Sequence, residues 1–183
     1  MRKSPAPWDV LNTKVVYSAP PWVRLSVHQV RLPDGRVVEK YHQVTLPEFV
    51  IIVARTPDDR VIVERHYKHG VGEVTLSLPA GMREGGEDPL VCAQRELLEE
   101  TGYTSEDWRA LGRFVENGTY GCGTAHIFLA RDARRVTEPA DIDFEEPEIL
   151  LMTPDEIVEA VRNGSIVIIS SVAAFALATN PLF

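Results

Sequence analysis

The 183-residue sequence predicts an α/β fold, on three observations. Its first third is rich in Val and Ile, set in short runs separated by turn residues, the pattern of paired strands. Two later segments, beginning at Asp88 and Thr153, carry the start and stop signals of capped helices. No internal repeat, low-complexity tract or long linker divides the chain, and its length suits one domain with its own core. Within it, residues 1–45 read as an N-terminal strand arm and residues 46–183 as the core.

Trp22 to Leu32 (WVRLSVHQVRL) sets Val23, Leu25 and Val27 at alternate positions, and Pro33-Asp34-Gly35 turns the chain into Val37 to Val44. This is a hairpin pattern. A second hairpin is read from the apolar run Phe49 to Ala54, the turn Pro57-Asp58-Asp59 and the return Val61 to Glu64. Val74 to Leu78 is a third short strand, closed by Pro79 before a loop containing Gly81, Gly85 and Gly86. Asp88 then caps a helix, Pro89 suits its first turn, and Leu90, Ala93, Leu97 and Leu98 form an apolar stripe that Gly102 ends. His126 to Ala130 reads as a strand. Pro154 to Arg162 reads as a helix, opened by the capping-box pattern of Thr153 and Glu156 and stopped by Asn163-Gly164. Val172 to Leu177 reads as a last helix that covers the sheet, and the apolar stretch around it is too short to span a membrane.

Charge and cysteine content narrow the function. A formal net charge of -8 argues against a nucleic-acid surface or an anionic membrane as partner. Small phosphorylated substrates remain compatible, because local cations can reverse the field of one cleft. Cys92 and Cys122 form no CxxC pair, so neither a zinc site nor a disulfide framework is expected. The N-terminal MRKSPAPWDV lacks the apolar run of a secretory signal, and cytoplasmic residence is expected.

The chemistry concentrates in GMREGGEDPLVCAQRELLEETGY, Gly81 to Tyr103. Glu96, Glu99 and Glu100 fall at i, i+3 and i+4, so one helical face carries three carboxylates. Taken alone, three such glutamates are most simply a solvated surface. The full run, however, resembles the box of the Nudix hydrolase family: Gly81, Glu87, Arg95, Glu96, Leu97, Glu99, Glu100 and Gly102 occupy its fixed places and Tyr103 its last apolar one.

The resemblance implies a loop, helix and loop within an α/β/α sandwich built on a mixed sheet. It implies Glu96 and Glu100 as the principal ligands of Mg2+, with Mn2+ a substitute, Glu99 as a residue that binds or orients a second ion, and the Ala80 carbonyl as a further ligand. Carboxylate oxygens are hard ligands that suit Mg2+, which keeps several waters and completes its shell with substrate phosphate. Gly81 is expected to keep the loop close to the ion. Arg95 is expected to brace a loop carboxylate such as Glu87, which otherwise serves as an acidic residue favoured by the helix dipole.

The segments VIVERHYKHGVG, LSLPAG and HIFLA resemble the ADP-ribose and nucleotide-sugar pyrophosphatases. Three departures stand out: Tyr67-Lys68 in place of a Tyr-Arg pair, Ser77 in place of a Glu before Leu-Pro-Ala-Gly, and a post-box loop ENGTYGCGTAH without proline. The resemblance implies hydrolysis of the diphosphate of a nucleoside diphosphate sugar, ADP-ribose leading. Another nucleotide sugar such as GDP-mannose, a nucleoside triphosphate, or a role as an inactive nucleotide-binding module are the alternatives. His66, Tyr67, Lys68, Asn117, Gly118, Tyr120 and Gly121 are candidate substrate contacts, each weighed against packing or turn formation. In this branch a loop glutamate serves as general base, which points to Glu145 and Glu146 in ADIDFEEPE, against the reading of a solvated acidic loop. The family and the apolar residues of the N-terminal arm together suggest a homodimer.

Overall fold

The computed structural model describes residues 5–140 and 147–182, which fall into two units, each treated by itself. Unit 1 comprises Met1–Pro47 with Val115–Thr124, and unit 2 comprises Glu48–Phe114 with Ala125–Phe183.

Unit 1 is a three-stranded antiparallel sheet of β1 (Asp9–Ala19), β2 (Val23–Arg31) and β3 (Val37–Thr45), in that order. The foreseen hairpin is β2 and β3, with Val27 opposite His42, and Gly35 supplies the positive φ of +88° that its turn requires. The first strand falls within the expected strand arm, where the sequence placed no individual strand before Trp22. Its pairing with β2 shifts register between Val10 and Asn12 and between Val15 and Tyr17, so its apolar residues fall in adjacent pairs and the two-residue period is lost. The segment 115–124 joins this unit: the Tyr41 hydroxyl donates to the Thr119 carbonyl (2.6 Å) and the Val44 amide to the Tyr120 carbonyl (3.1 Å).

Unit 2 is a three-layer arrangement. One sheet has the order β7 (Ala80–Met82), β4 (Glu48–Ala54), β10 (Cys122–Arg131), β9 (Asp107–Asn117), and a second has β12 (Glu148–Met152), β5 (Val61–Lys68), β6 (Glu73–Ser77). A two-stranded ladder joins β8 (Tyr103–Thr104) to β11 (Arg134–Arg135). The predicted second hairpin needs correction. The turn after β4 exists, but its strands share only the Arg55–Val61 bridge and diverge into different sheets. Each run is buried along nearly its whole length, and such runs find partners on both sides rather than only each other.

Alternate residues of the strands pack the two faces. Val50, Ile52, Ile62 and Phe128 meet Cys92, Ala93 and Leu97 of α1 (Pro89–Thr101). Ile51, Val53, Val63 and Leu129 meet Ile157 and Ala160 of α2 (Pro154–Arg162) and Ala174 and Phe175 of α3 (Ile169–Thr179). This is the expected α/β/α sandwich. The stripe on α1 is narrower than predicted, since Leu98 is 39% exposed whereas Leu97 is fully buried. Truncating Leu97 to Ala would cost about 2–5 kcal/mol, in line with buried leucines elsewhere. The α2 capping box is present, with reciprocal hydrogen bonds between Thr153 and Glu156. Among the described residues no helix is long and apolar enough to cross a membrane.

Candidate active site

The ends of α1 determine where its carboxylates sit. The Asp88 side chain accepts from the amides of Leu90 and Val91 (2.8 and 3.3 Å), and Pro89 fills the first turn, where no amide donor is needed. At the other end Gly102 adopts φ +74° and donates its amide to the Leu98 carbonyl (2.9 Å). A side chain at Gly102 would meet the Thr137 carbonyl oxygen at 2.2 Å, so the residue serves both the cap and a close backbone approach.

With Ala93 and Leu97 buried on the sheet, the neighbouring positions 96 and 100 face the strand β7. Glu96 is 8% exposed and its carboxylate lies directly over Gly81, where a Cβ would stand 1.9 Å from Glu96 Cδ. The carboxylate of Glu100 accepts the Ala80 amide (3.0 Å). Two of the three predicted carboxylates therefore converge on Ala80 and Gly81. Burial, then the charges of Glu64 and Glu96, push the Glu100 carboxyl well above the usual carboxylate range, against the pull of the Ala80 amide and of Lys68.

Glu64 is the participant that the sequence reading missed. It is 2% exposed on β5. Its one signal in the sequence is a charge at the end of the buried run VIV, since a buried charge requires a counterpart. Glu64 stands opposite Ser77 in the β5–β6 register. Where the resemblance expects a Glu before Leu-Pro-Ala-Gly, a carboxylate thus reaches this patch from the adjacent strand instead.

Arg95 organises the remaining acids. It donates from Nε and Nη2 to the two oxygens of Glu87, each at 3.0 Å, and from Nη1 to Glu96 (2.8 Å) and Glu99 (3.0 Å). The bracing role expected of Arg95 is thus present, and Glu87 is its partner rather than a helix-dipole acid. Hydrogen bonding from Arg95 holds the Glu87 carboxyl down at about 2. Cys92 beside them is inert, its thiol pushed up to about 12 by burial and then by the Glu87 charge.

The donor set fits a hard divalent cation in chemistry and charge: crowded carboxylates, one raised far in proton affinity, against a glycine that leaves room for them. Among the described residues no three Asp, Glu, His or Cys side chains form a ready-made cage, because Arg95 draws Glu96 and Glu99 while Glu100 turns to the Ala80 amide. Mg2+ needs no such cage, since one or two carboxylates with water and substrate phosphate suffice.

The other predicted contacts separate. His66 and Lys68 share a face of β5 with Glu64, and His66 Nε2 lies 2.9 Å from the Ser77 hydroxyl, both residues being buried. Tyr67 projects from the opposite face, is 51% exposed and stacks at a tilt on His69, so it is not brought to the carboxylates. In unit 1, Asn117 accepts from the amides of Thr119 and Tyr120 (3.1 and 3.0 Å), and Gly121 (φ +66°) closes the turn onto the Asn117 carbonyl. Asn117, Gly118 and Gly121 therefore build a turn that presents Tyr120, which is 48% exposed. Glu145 and Glu146 lie outside the described residues.

Comparison with known proteins agrees with this geometry. The NUDIX domain family matches residues 45–170, and the nucleoside diphosphate sugar hydrolase N-terminal domain matches residues 8–44. The methanol dehydrogenase activator of Bacillus methanolicus is 30% identical over 79% of this chain and 78% of its own. The ADP-ribose pyrophosphatase of Bacillus subtilis (strain 168) is 28% identical over the same shares. A crystal structure of an ADP compounds hydrolase superposes with a TM-score of 0.82 over 96% of this chain and 94% of that one, at 22% identity, a likeness of fold. With the box residues gathered around Ala80 and Gly81, and the domain match covering most of the chain, the protein belongs to the Nudix hydrolase family.

Proposed function

We propose that the protein hydrolyses the diphosphate of a nucleoside diphosphate sugar, with ADP-ribose the leading substrate and AMP and ribose 5-phosphate the products. The observation that carries the reading is the crowding of Glu100 with Glu64 and Glu96 beside Ala80 and Gly81. Such a group of buried acids is costly unless a cation resolves it. Glu96, Glu100 and the Ala80 carbonyl would hold Mg2+, with Glu99 orienting a second ion and Mn2+ able to substitute. When bound, the ions supply polarisation of the phosphate oxygens and neutralise charge on the leaving phosphate. Lys68, whose charge reaches Glu100, is a cation for the outer phosphate oxygens, and Arg95 keeps Glu96 and Glu99 oriented.

Glu145 and Glu146 remain the proposed general bases. What supports them is their place in the chain, just before Glu148, which pairs with Arg65 (3.0 Å) on the strand that carries Glu64, His66 and Lys68. Homodimer assembly is proposed on the exposure of Val10, Val15, Val16 and Tyr17 along β1, an edge strand of the unit 1 sheet, and of Trp22 at 65%. Long apolar edge strands invite pairing with a second copy. Cytoplasmic residence rests on two unpaired cysteines.

The test is a panel of ADP-ribose, ADP-glucose, GDP-mannose, UDP-glucose, NADH, diadenosine polyphosphates and oxidised nucleoside triphosphates at subsaturating concentration with Mg2+, scored by product identity. Two phosphomonoesters from a nucleotide sugar are expected, with the largest kcat/KM for ADP-ribose. A preference for a triphosphate with release of pyrophosphate overturns the substrate class, and full turnover in excess chelator overturns the metal.

A further inference from the structure

We infer that Glu48 is a positioning residue for the loop Gly81 to Glu87: through Arg83 it fixes that loop against β9 and β10, and so sets the affinity of the α1 carboxylates for a divalent ion. The inference rests on the metal reading above.

Glu48 opens β4 and is separated in sequence from everything it touches. Its carboxylate accepts from Arg83, from Arg113 Nη2 on β9 (2.9 Å) and from His126 Nε2 on β10 (2.8 Å). These partners, Arg113 first and His126 next, hold its carboxyl down at about 2. Its carbonyl accepts the Arg83 amide (2.9 Å), so main chain and side chain grip the same residue.

Arg83 reaches onward. Its guanidinium donates to the Glu87 carbonyl, from Nε at 3.1 Å and also from Nη2, and so ties both ends of the segment 83–87 to Glu48. Glu87 in turn holds Arg95, and Arg95 holds Glu96 and Glu99. A continuous chain of contacts therefore runs from β9 and β10, through Glu48, Arg83, Glu87 and Arg95, to the carboxylate helix.

The plain alternative is a surface ion-pair cluster, and exposure weighs against it for two of the three arms. The Arg113 side chain, although first among the groups that lower the Glu48 carboxyl, is 57% exposed, so solvent screens its arm and it adds little to stability. Those of Arg83 and His126 are 21% and 14% exposed, where charge-assisted hydrogen bonds are stronger. Groups hydrogen-bonded directly to metal ligands typically change metal affinity by about 10- to 100-fold when removed, and Glu48, acting through Arg83, Glu87 and Arg95, belongs at the low end of that range.

The test is a Mn2+ titration followed by electron paramagnetic resonance, on the full chain without substrate, for wild type, Glu48→Gln, Arg83→Met and the double variant. Each single variant is expected to weaken Mn2+ binding by about tenfold. The double variant should be no weaker than Arg83→Met alone, because both act through one path. Glu48→Asp, which retains the charge, should recover part of the loss and replaces Glu48→Gln should that variant fail to fold. Unchanged Mn2+ affinity in folded Glu48→Gln or Arg83→Met, or losses that add in the double variant, would overturn the inference. A wild-type chain that binds no Mn2+ overturns the metal reading as well, which distinguishes the two failures.

Discussion

Replacing Gly81 with Ala separates the two demands on this position, folding and chemistry. Gly81 does not adopt a left-handed backbone, so alanine brings no backbone strain. The conflict is with one side chain: the new methyl would lie 1.9 Å from Glu96 Cδ and 2.1 and 2.2 Å from its oxygens. Ordinary contact begins near 3.4 Å, so the carboxylate must move by well over an ångström. Since it is the far end of a flexible side chain, that movement is cheap. Stability should fall by about 1 kcal/mol, the low end of overpacking costs. Activity has no such latitude, because a misplacement of about 1 Å in a catalytic group can cost roughly a hundredfold. The assay is Mg2+-dependent turnover of ADP-ribose beside urea denaturation of the same preparation. Turnover down by about a hundredfold with an unfolding midpoint lowered by only about 0.5 M urea is expected. Near-wild-type turnover would refute the assignment of Glu96 as a ligand held over Gly81.

Glu100→Gln should lower turnover by at least about a hundredfold, as expected for loss of a major electrostatic contribution, yet leave the metal-free protein at least as stable, because it removes a buried acid opposed by Glu64 and Glu96; a strongly destabilised variant by thermal melting would contradict this. Gly102→Ala should cost at least about 2 kcal/mol by urea denaturation, combining a left-handed φ of +74° with a backbone oxygen at 2.2 Å, and a neutral result would count against the cap geometry. Glu48 and Glu87 are both held at about 2, below the ordinary glutamate value of 4.5, so the stability they contribute is present above pH 4.5 and lost as pH falls from there toward 2. Arg95→Met should flatten the fall of stability with pH in that window, and an unchanged slope would show that Arg95 does not hold Glu87. Light scattering at micromolar concentration should give twice the 20.4 kDa chain mass, and a monomer would overturn the reading of the β1 edge.

What could be read from the sequence was whatever local chemistry determines. Both predicted helices with caps appear because Asp88, Pro89 and Gly102, and likewise Thr153, Pro154 and Glu156, act within a few residues of themselves. Strands carried less information. The first strand lost its alternation to two register shifts, and β9 has a single buried residue, Leu111, among the described ones along it. The false hairpin at Pro57 to Asp59 has correct turn residues, but turn chemistry does not say which sheet each strand joins. For the site, Gly81 to Gly102 was legible because its loop and helix are contiguous. Glu64 and Glu48 were not, because each acquires its meaning only from residues on other strands: Glu48 meets partners 35, 65 and 78 positions away.

The same contrast explains how a helix with mutually repelling carboxylates folds at all. Glu96, Glu99 and Glu100 would destabilise an isolated helix by a few tenths of a kcal/mol per pair, and burial raises the penalty. Arg95 offsets it, since one guanidinium bonds to Glu87, Glu96 and Glu99 together. Glu100 stands apart from this set: its carboxylate accepts the Ala80 amide, and its proton affinity rises. The fold thus balances Glu87, Glu96 and Glu99 through a planar cation of single charge. If Glu100 and Glu96 hold a divalent ion as proposed, its charge would offset both carboxylates, and Glu96 would be drawn from Arg95 to hold it. Glu87 would keep Arg95 in place, because both of its oxygens are bonded to Nε and Nη2. The Arg95–Glu87 pair would then be the hinge of the site, letting Glu96 change partners without loosening the loop that carries Ala80 and Gly81.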